Sequence, residues 1–174
     1  MLGGGGYAGS ELLNNGLISA QGAGGTLAVN DTNLVNDGTF AASNGGLLVV
    51  QSALTGTGML DIGSGGKLEL LSTGAGETVN FLDTSISTLK LDSPSAFAGT
   101  ISNFGAGNVI DLASPNFYTS VNATAANWSA GTLAVTLSGG SVIDLNMAGN
   151  YSTATFGTKS DGALGSYILS LIHI

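Results

Sequence analysis

A unit of about twenty residues returns along this chain, and that return limits the available folds more than any other feature. Its clearest copies begin at Leu12, Leu34 and Leu54. Each copy passes a glycine (Gly16, Gly38, Gly58) and then reaches a glycine pair (Gly24–Gly25, Gly45–Gly46, Gly65–Gly66). Each closes on a short alternating segment: Thr26–Val29, Leu47–Val50 and Lys67–Leu70. Beyond these copies the apolar positions stay in step. Leu27, Leu48, Leu68, Leu89 and Ile110 recur at spacings of 21, 20, 21 and 21, and Val29, Val50, Leu70, Leu91 and Leu112 follow two residues later. Ile18, Phe40, Leu60, Phe81 and Ile101 recur at 22, 20, 21 and 20.

Alternation with period two places each aligned residue on one face of a short strand. A single coil of this size has too little apolar surface to fold alone. Stacked coils pair every strand in parallel with its counterpart one repeat away and bury one continuous column. The expected fold is therefore all-β: a right-handed parallel β-solenoid (β-helix) of about five coils over 12–114, preceded by a Gly-rich lead-in, a truncated coil, at 1–11. Outward positions stack too, so Ala28, Val49, Glu69, Lys90 and Asp111 should form one column, with Lys90 between two carboxylates. The parallel outward column Thr26, Leu47, Lys67, Thr88, Val109 is too mixed for an ice-binding threonine array.

After Leu112 the period fails. Pro115 marks a turn, and Val121–Asn127 is the one stretch suited to a helical turn. Thr132–Leu137 and Ser141–Met147 flank a Ser-Gly-Gly turn and read as an antiparallel hairpin; Tyr151–Phe156 and Gly165–Ile168 suggest another. Residues 115–168 are expected to cap the solenoid, as the end of a repeat array requires.

Composition fits this reading and excludes others. Glycine supplies 29 of 174 residues, which is hostile to helices, while a hydrophobic fraction of 43% is too high for a disordered linker. Eleven carboxylates face three lysines and no arginine, for a net charge of −8, so no basic stripe for nucleic acid can be assembled. There is no cysteine, and no run of 18 apolar residues for a membrane-spanning helix. The start, Met1–Tyr7, lacks the basic and apolar regions of a signal peptide, which suggests an internal piece of a longer polypeptide.

The segment Leu89–Leu112, with Asp92, Pro94, Phe97, Gly99, Thr100, Ile101, Phe104, Gly107, Ile110 and Asp111, resembles a recurrent segment of large secreted Gram-negative proteins. These are β-strand-repeat adhesins and autotransporter-passenger or haemagglutinin-like proteins. The hairpin at Gly131–Gly140 and the continuation Leu145–Phe156 extend the likeness, which covers nearly all of 12–168. It departs at Asn108, where the family form has Asp. The resemblance implies a non-enzymatic stalk segment of an adhesin, extracellular or on the bacterial surface. Its partners would be the rest of a larger polypeptide, and host or environmental glycans or other surface proteins. Residues Leu169–Ile174 resemble the in-frame translation of a transposase mosaic-end adapter used in sequencing libraries. On that reading they are not native and neither is His173, the sole histidine; the alternative is a genuine final strand.

Two other functions compete. A glycan-binding module would use the solenoid flank, or Tyr118, Asn127 and Trp128, since aromatic faces with amides suit sugars. A carbohydrate-active β-helix enzyme would need paired carboxylates, for which Asp61 with Asp83, or Asp111 with Asp144, are the candidates. Against the enzyme stand the missing Arg and the scattered Lys67, Lys90 and Lys159. No cofactor is expected. Calcium would have to draw on the turn carboxylates Asp31, Asp37, Asp83 and Asp92, because the G-G-x-G-x-D nonapeptide of calcium-binding β-rolls is absent. Two nucleotide motifs fail on context: Gly4–Gly9 lacks a preceding strand, and Gly66-Lys67 is followed by Leu68 where Ser or Thr must bind magnesium.

Overall fold

Each coil bends three times, and glycine or Asx turns make the corners. In the computed structural model, which describes residues 10–113 and 122–172, the first coil consists of β1 (Glu11–Asn14), β2 (Leu17–Gln21) and β3 (Thr26–Val29). The second has β4 (Asn33–Asn36), β5 (Thr39–Ser43) and the start of β6 (Leu47–Gly56), whose end opens the third coil. Next come β7 (Met59–Ile62), β8 (Lys67–Thr73), β9 (Thr78–Phe81) and β10 (Ser87–Leu91). The fifth coil opens with a 3₁₀ turn at Pro94–Ala96 and continues through β11 (Thr100–Ser102) and β12 (Asn108–Leu112). The chain is a β-solenoid of about five turns held by parallel pairing.

The apolar register is carried strand to strand. Leu27, Leu48, Leu68, Leu89 and Ile110 pair successively across the sheet, as do Val29, Val50, Leu70, Leu91 and Leu112. From Leu48 and Val50 onward these side chains are essentially inaccessible, and each such burial contributes about 1.5–3 kcal/mol. The opening residues Leu12, Leu34 and Leu54 form a third column.

One expected alignment shifts. Val79, not Phe81, pairs with Leu60 and Ile101, and Phe81 pairs with Ile62. The fourth coil is tightened at the β6–β8 irregularity between Val50 and Ala53, and regains its length in the longer Leu82–Ile86 turn. Because the slip is two residues, Phe81 keeps its inward face and its ring lies 5.5 Å from that of Phe104.

A second interior column is polar. Asn14 Nδ2 donates to Asn36 Oδ1 at 2.7 Å and to the Thr39 carbonyl at 3.1 Å. Asn36 Nδ2 in turn donates to Glu77 Oε2 at 3.0 Å and to the Met59 carbonyl at 3.3 Å. Glu77 is fully buried, and its other oxygen has no hydrogen-bond partner among the described residues.

Asn108 both donates and accepts within the fold. Its buried amide donates to the carbonyls of Asp83 and Ser85, each at 3.1 Å, and its oxygen accepts from Gly105 N at 2.9 Å. An ionised Asp cannot donate. Asn108→Asp should therefore cost about 2 kcal/mol at neutral pH, from two lost donor bonds, readable as a lower urea midpoint.

The tail prolongs both sheets. β13 (Ala123–Ser129), β14 (Thr132–Leu137) and β15 (Val142–Ala148) form an antiparallel ribbon, with β15 joining β11 in parallel. β16 (Thr155–Ser160) and β17 (Ser166–Ile172) form a hairpin, with β17 antiparallel to β12. The turn at Ser138–Gly140 closes the expected hairpin, with Gly140 at φ 82°. Two expectations are corrected. Ala123–Ser129 is a strand rather than a helical turn, because pairing with β14 satisfies its backbone. The second hairpin begins at Thr155, leaving Tyr151 outside it, with its hydroxyl accepting from Phe104 N at 3.0 Å. Leu169 to Ile172 continue β17, Leu169 pairing with Val109 and Gly157, while His173 lies outside the described residues. Between the sheets an aromatic series runs Phe81, Phe104, Phe156, Tyr151 and Trp128, neighbouring centroids 5.5–6.2 Å apart.

Candidate functional site

Alternation along β6, β8, β10 and β12 buries Leu48, Leu68, Leu89 and Ile110 and turns the residues between them outward. The outward column Ala28, Val49, Glu69, Lys90, Asp111 pairs in the expected register and runs on into the tail, through Tyr167 to Lys159. Lys90 Nζ lies 2.8 Å from Glu69 Oε1. Its second carboxylate is Asp92, 3.1 Å away on its own strand edge, rather than Asp111. Burial works against the Lys90 charge, but the hydrogen bonds to Glu69 and Asp92 outweigh it and hold the pKa above the ordinary lysine value. With Lys90 about one-third exposed, the pair is worth little. Lys90→Met should change unfolding free energy by less than about 1 kcal/mol, measured by urea denaturation.

Asp111 stands differently. It is 9% exposed, and among the described residues one of its carboxylate oxygens has no partner and no lysine is in ion-pair contact with it. Burial first, and then repulsion from Asp161, push its pKa up to about 6, with Lys90 opposing. Asp161 arrives from the β16–β17 turn. Its Oδ1 accepts from Ala163 N at 2.7 Å and Gly165 N at 3.1 Å. Gly165 lets this turn settle on the solenoid, because a Cβ there would overlap the Leu112 carbonyl oxygen and Asp161 Oδ2.

Between this turn and the column runs a groove of about 490 Å³, bounded by Leu71, Asp92, Ala113, Asp161 and Leu164. A smaller hollow of about 260 Å³ adjoins it, with Lys67, Thr88, Asp111 and Tyr167 on its walls. Glu69 and Lys90 border both. Groove and hollow lie side by side along the outer face of the solenoid sheet.

The other residues singled out from the sequence do not converge here. Tyr118 lies outside the described residues. Asn127 is exposed on β13, in the other sheet. Trp128 is half-buried in the cap, edge-on to Tyr151 at 6.1 Å, with its indole N–H buried and without an acceptor, so its ring is not an open sugar platform. Asp111 and Asp144 belong to different sheets, Asp144 being exposed on β15, and so are not a catalytic pair. Asp61 accepts from Asn80 Nδ2 at 3.1 Å, while Asp83 accepts from Ser85 N at 2.9 Å. The turn carboxylates considered for calcium are scattered: Asp37 accepts from Thr57, Asp92 pairs with Lys90, and Asp31 is buried at another corner. Among the described residues no three acidic or imidazole side chains gather around a point where an ion would sit.

Asp161 and Tyr167 were not singled out from the sequence. Their signal is the outward column itself, but it reaches them only through an antiparallel strand that breaks the repeat period. No protein-family model matches the chain, and no curated protein matches it.

Proposed function

We propose that this chain is a non-enzymatic stalk or scaffold segment of a secreted or cell-surface bacterial adhesin. The observation that carries this reading is the continuous coil-to-coil register: every strand of the solenoid is paired to its neighbours along one axis, around columns such as Leu48–Leu68–Leu89–Ile110. Such a stack adds about 4.8 Å of length per coil while exposing a weakly charged surface, which suits a spacer. The family resemblance over 12–168 supplies the extracellular setting. Against the glycan-binding alternative, Trp128, one of the two aromatic residues it would use, packs edge-on to Tyr151 in the cap. The carbohydrate-active alternative loses one of its two carboxylate pairs with Asp111 and Asp144 on separate sheets.

The test uses the full chain on an array of neutral and acidic glycans, and in parallel with polysaccharides assayed for new reducing ends. The stalk reading expects neither binding nor cleavage. Saturable binding to one glycan, or turnover abolished by Asp61→Asn, would overturn it.

A further inference from the structure

The groove beside the Glu69–Lys90–Asp111 column is unexplained by a purely structural role. Its charges do not balance. Four carboxylates are spread along the groove and the adjoining hollow, Glu69, Asp92 and Asp161 on the first and Asp111 on the second, with only Lys90 and Lys67 beside them. Lys90 is committed to Glu69 and Asp92, leaving Asp111 and Asp161 with no lysine in ion-pair contact. Independently of that cluster, Asp111 is nine-tenths buried on the wall of the hollow and carries an acceptor oxygen that nothing among the described residues satisfies. Buried acceptors are normally paired, so this one calls for a donor from outside. A charged donor fits Asp111 better than a neutral one, since burial and the nearby negative charge of Asp161 both act against its carboxylate.

The surroundings narrow the cation. Tyr167 pairs with Asp111 across β12 and β17 and lines the same hollow, which puts an aromatic side chain beside the carboxylate, a residue type that attracts ammonium groups. Leu71, Ala113, Ala163 and Leu164 line the groove beyond, where a methylene chain can lie. Calcium or magnesium needs several converging oxygens, which these side chains do not provide. We propose that this groove binds an alkylammonium group, its nitrogen between Asp111 and Asp161 and its methylenes along the Leu71–Leu164 wall. A free diamine and a lysine side chain share that chemistry.

The test is a calorimetric titration at pH 8 with two probes: cadaverine, and N-acetyl-lysine-N-methylamide as a peptide side chain. Asp111→Asn and Asp161→Asn should each weaken binding at least tenfold. Glu11→Gln, which removes one carboxylate at the far end on β1, should change it less than twofold. Tighter binding of cadaverine assigns the site to free diamines; equal or tighter binding of the capped lysine assigns it to a polypeptide partner. Asp161→Asn retains the oxygen that caps the turn, so its effect reads binding rather than folding. Equal losses in all three variants would mean diffuse attraction to an acidic protein and would overturn the proposal. So would tighter binding of calcium or of a neutral methyl glycoside at the same residues.

Discussion

At pH 8 the Glu77→Gln variant should be more stable than the native chain by about 3 kcal/mol, and near pH 4.5 the two should differ by less than about 1 kcal/mol. Glu77 is fully buried, holds one hydrogen bond from Asn36, and leaves its second oxygen unpaired. Burial is the main force acting on it. Desolvation, opposed by the Asn36 bond and reinforced by the charge of Asp37, raises its pKa from 4.5 to about 7. A carboxyl whose pKa is higher in the fold than in the unfolded chain favours the fold while protonated. That contribution is whole below about pH 4.5, falls as pH rises, and is gone above about pH 7. Glutamine keeps the acceptor for Asn36 and cannot ionise, so the loss disappears. Asp111, raised to about 6 by burial and by Asp161, adds a fall of the same sign over a lower window, from about 3.8 to 6. The native chain should thus be most stable in mild acid. Urea denaturation from pH 4 to 8 checks this: parallel native and Glu77→Gln curves would show that Glu77 ionises freely in the fold.

Gly56→Ala should lower unfolding free energy by about 2–5 kcal/mol, a fall of about 10 °C in midpoint temperature for a chain of this length. Two costs coincide. Gly56 has φ 121°, a region that side-chain-bearing residues rarely enter. A Cβ there would also sit inside the contact distance of the Asn36 carbonyl oxygen and carbon on the coil below. That obstacle is backbone held in the ladder, so it cannot swing aside. Gly16→Ala is the matched control, because a Cβ there meets nothing within 4 Å. It should change stability by less than about 0.5 kcal/mol. Thermal melts of both variants, run together, decide whether the close approach of coils is what Gly56 serves. Equal midpoints would contradict it.

The stacked architecture was legible because a solenoid repeats one environment. Leu48, Leu68, Leu89 and Ile110 occupy the same interior position in successive coils, so apolar spacing alone places them. The Glu69–Lys90–Asp111 column followed from the same stacking. Less visible was the short strand that opens the coils, at Asn33–Asn36 for example, where Asn and Gly mask the alternation. Phe81 was misplaced because only total coil length shows in the spacing, and a tightened corner had offset a lengthened turn. Ala123–Ser129 holds only Thr124 and Trp128 as strand-forming side chains among alanines, Asn127 and Ser129, and took its conformation from pairing with Thr132–Leu137. Glu77 stands in a Gly-rich turn with nothing in its neighbours that marks burial; only coiling carries it inward to Asn36. The groove is hidden for a related reason, since Asp161 and Tyr167 reach Asp111 through antiparallel pairing outside the period.

The coil-to-coil register underlies every functional statement made for this protein, and an absence of native cysteine makes it directly testable. Lys67 and Thr88 pair in parallel on the outward face, so their Cα atoms should lie about 5 Å apart, within the span of a disulfide. Lys67 and Lys90 also face outward but are two residues out of register, about 8 Å apart. Under mild oxidation Lys67→Cys/Thr88→Cys should close a disulfide in essentially every molecule and raise the thermal midpoint, while Lys67→Cys/Lys90→Cys should remain reduced in the folded chain. Preferential closure of the 67/90 pair, or failure of both, would contradict the stacked solenoid.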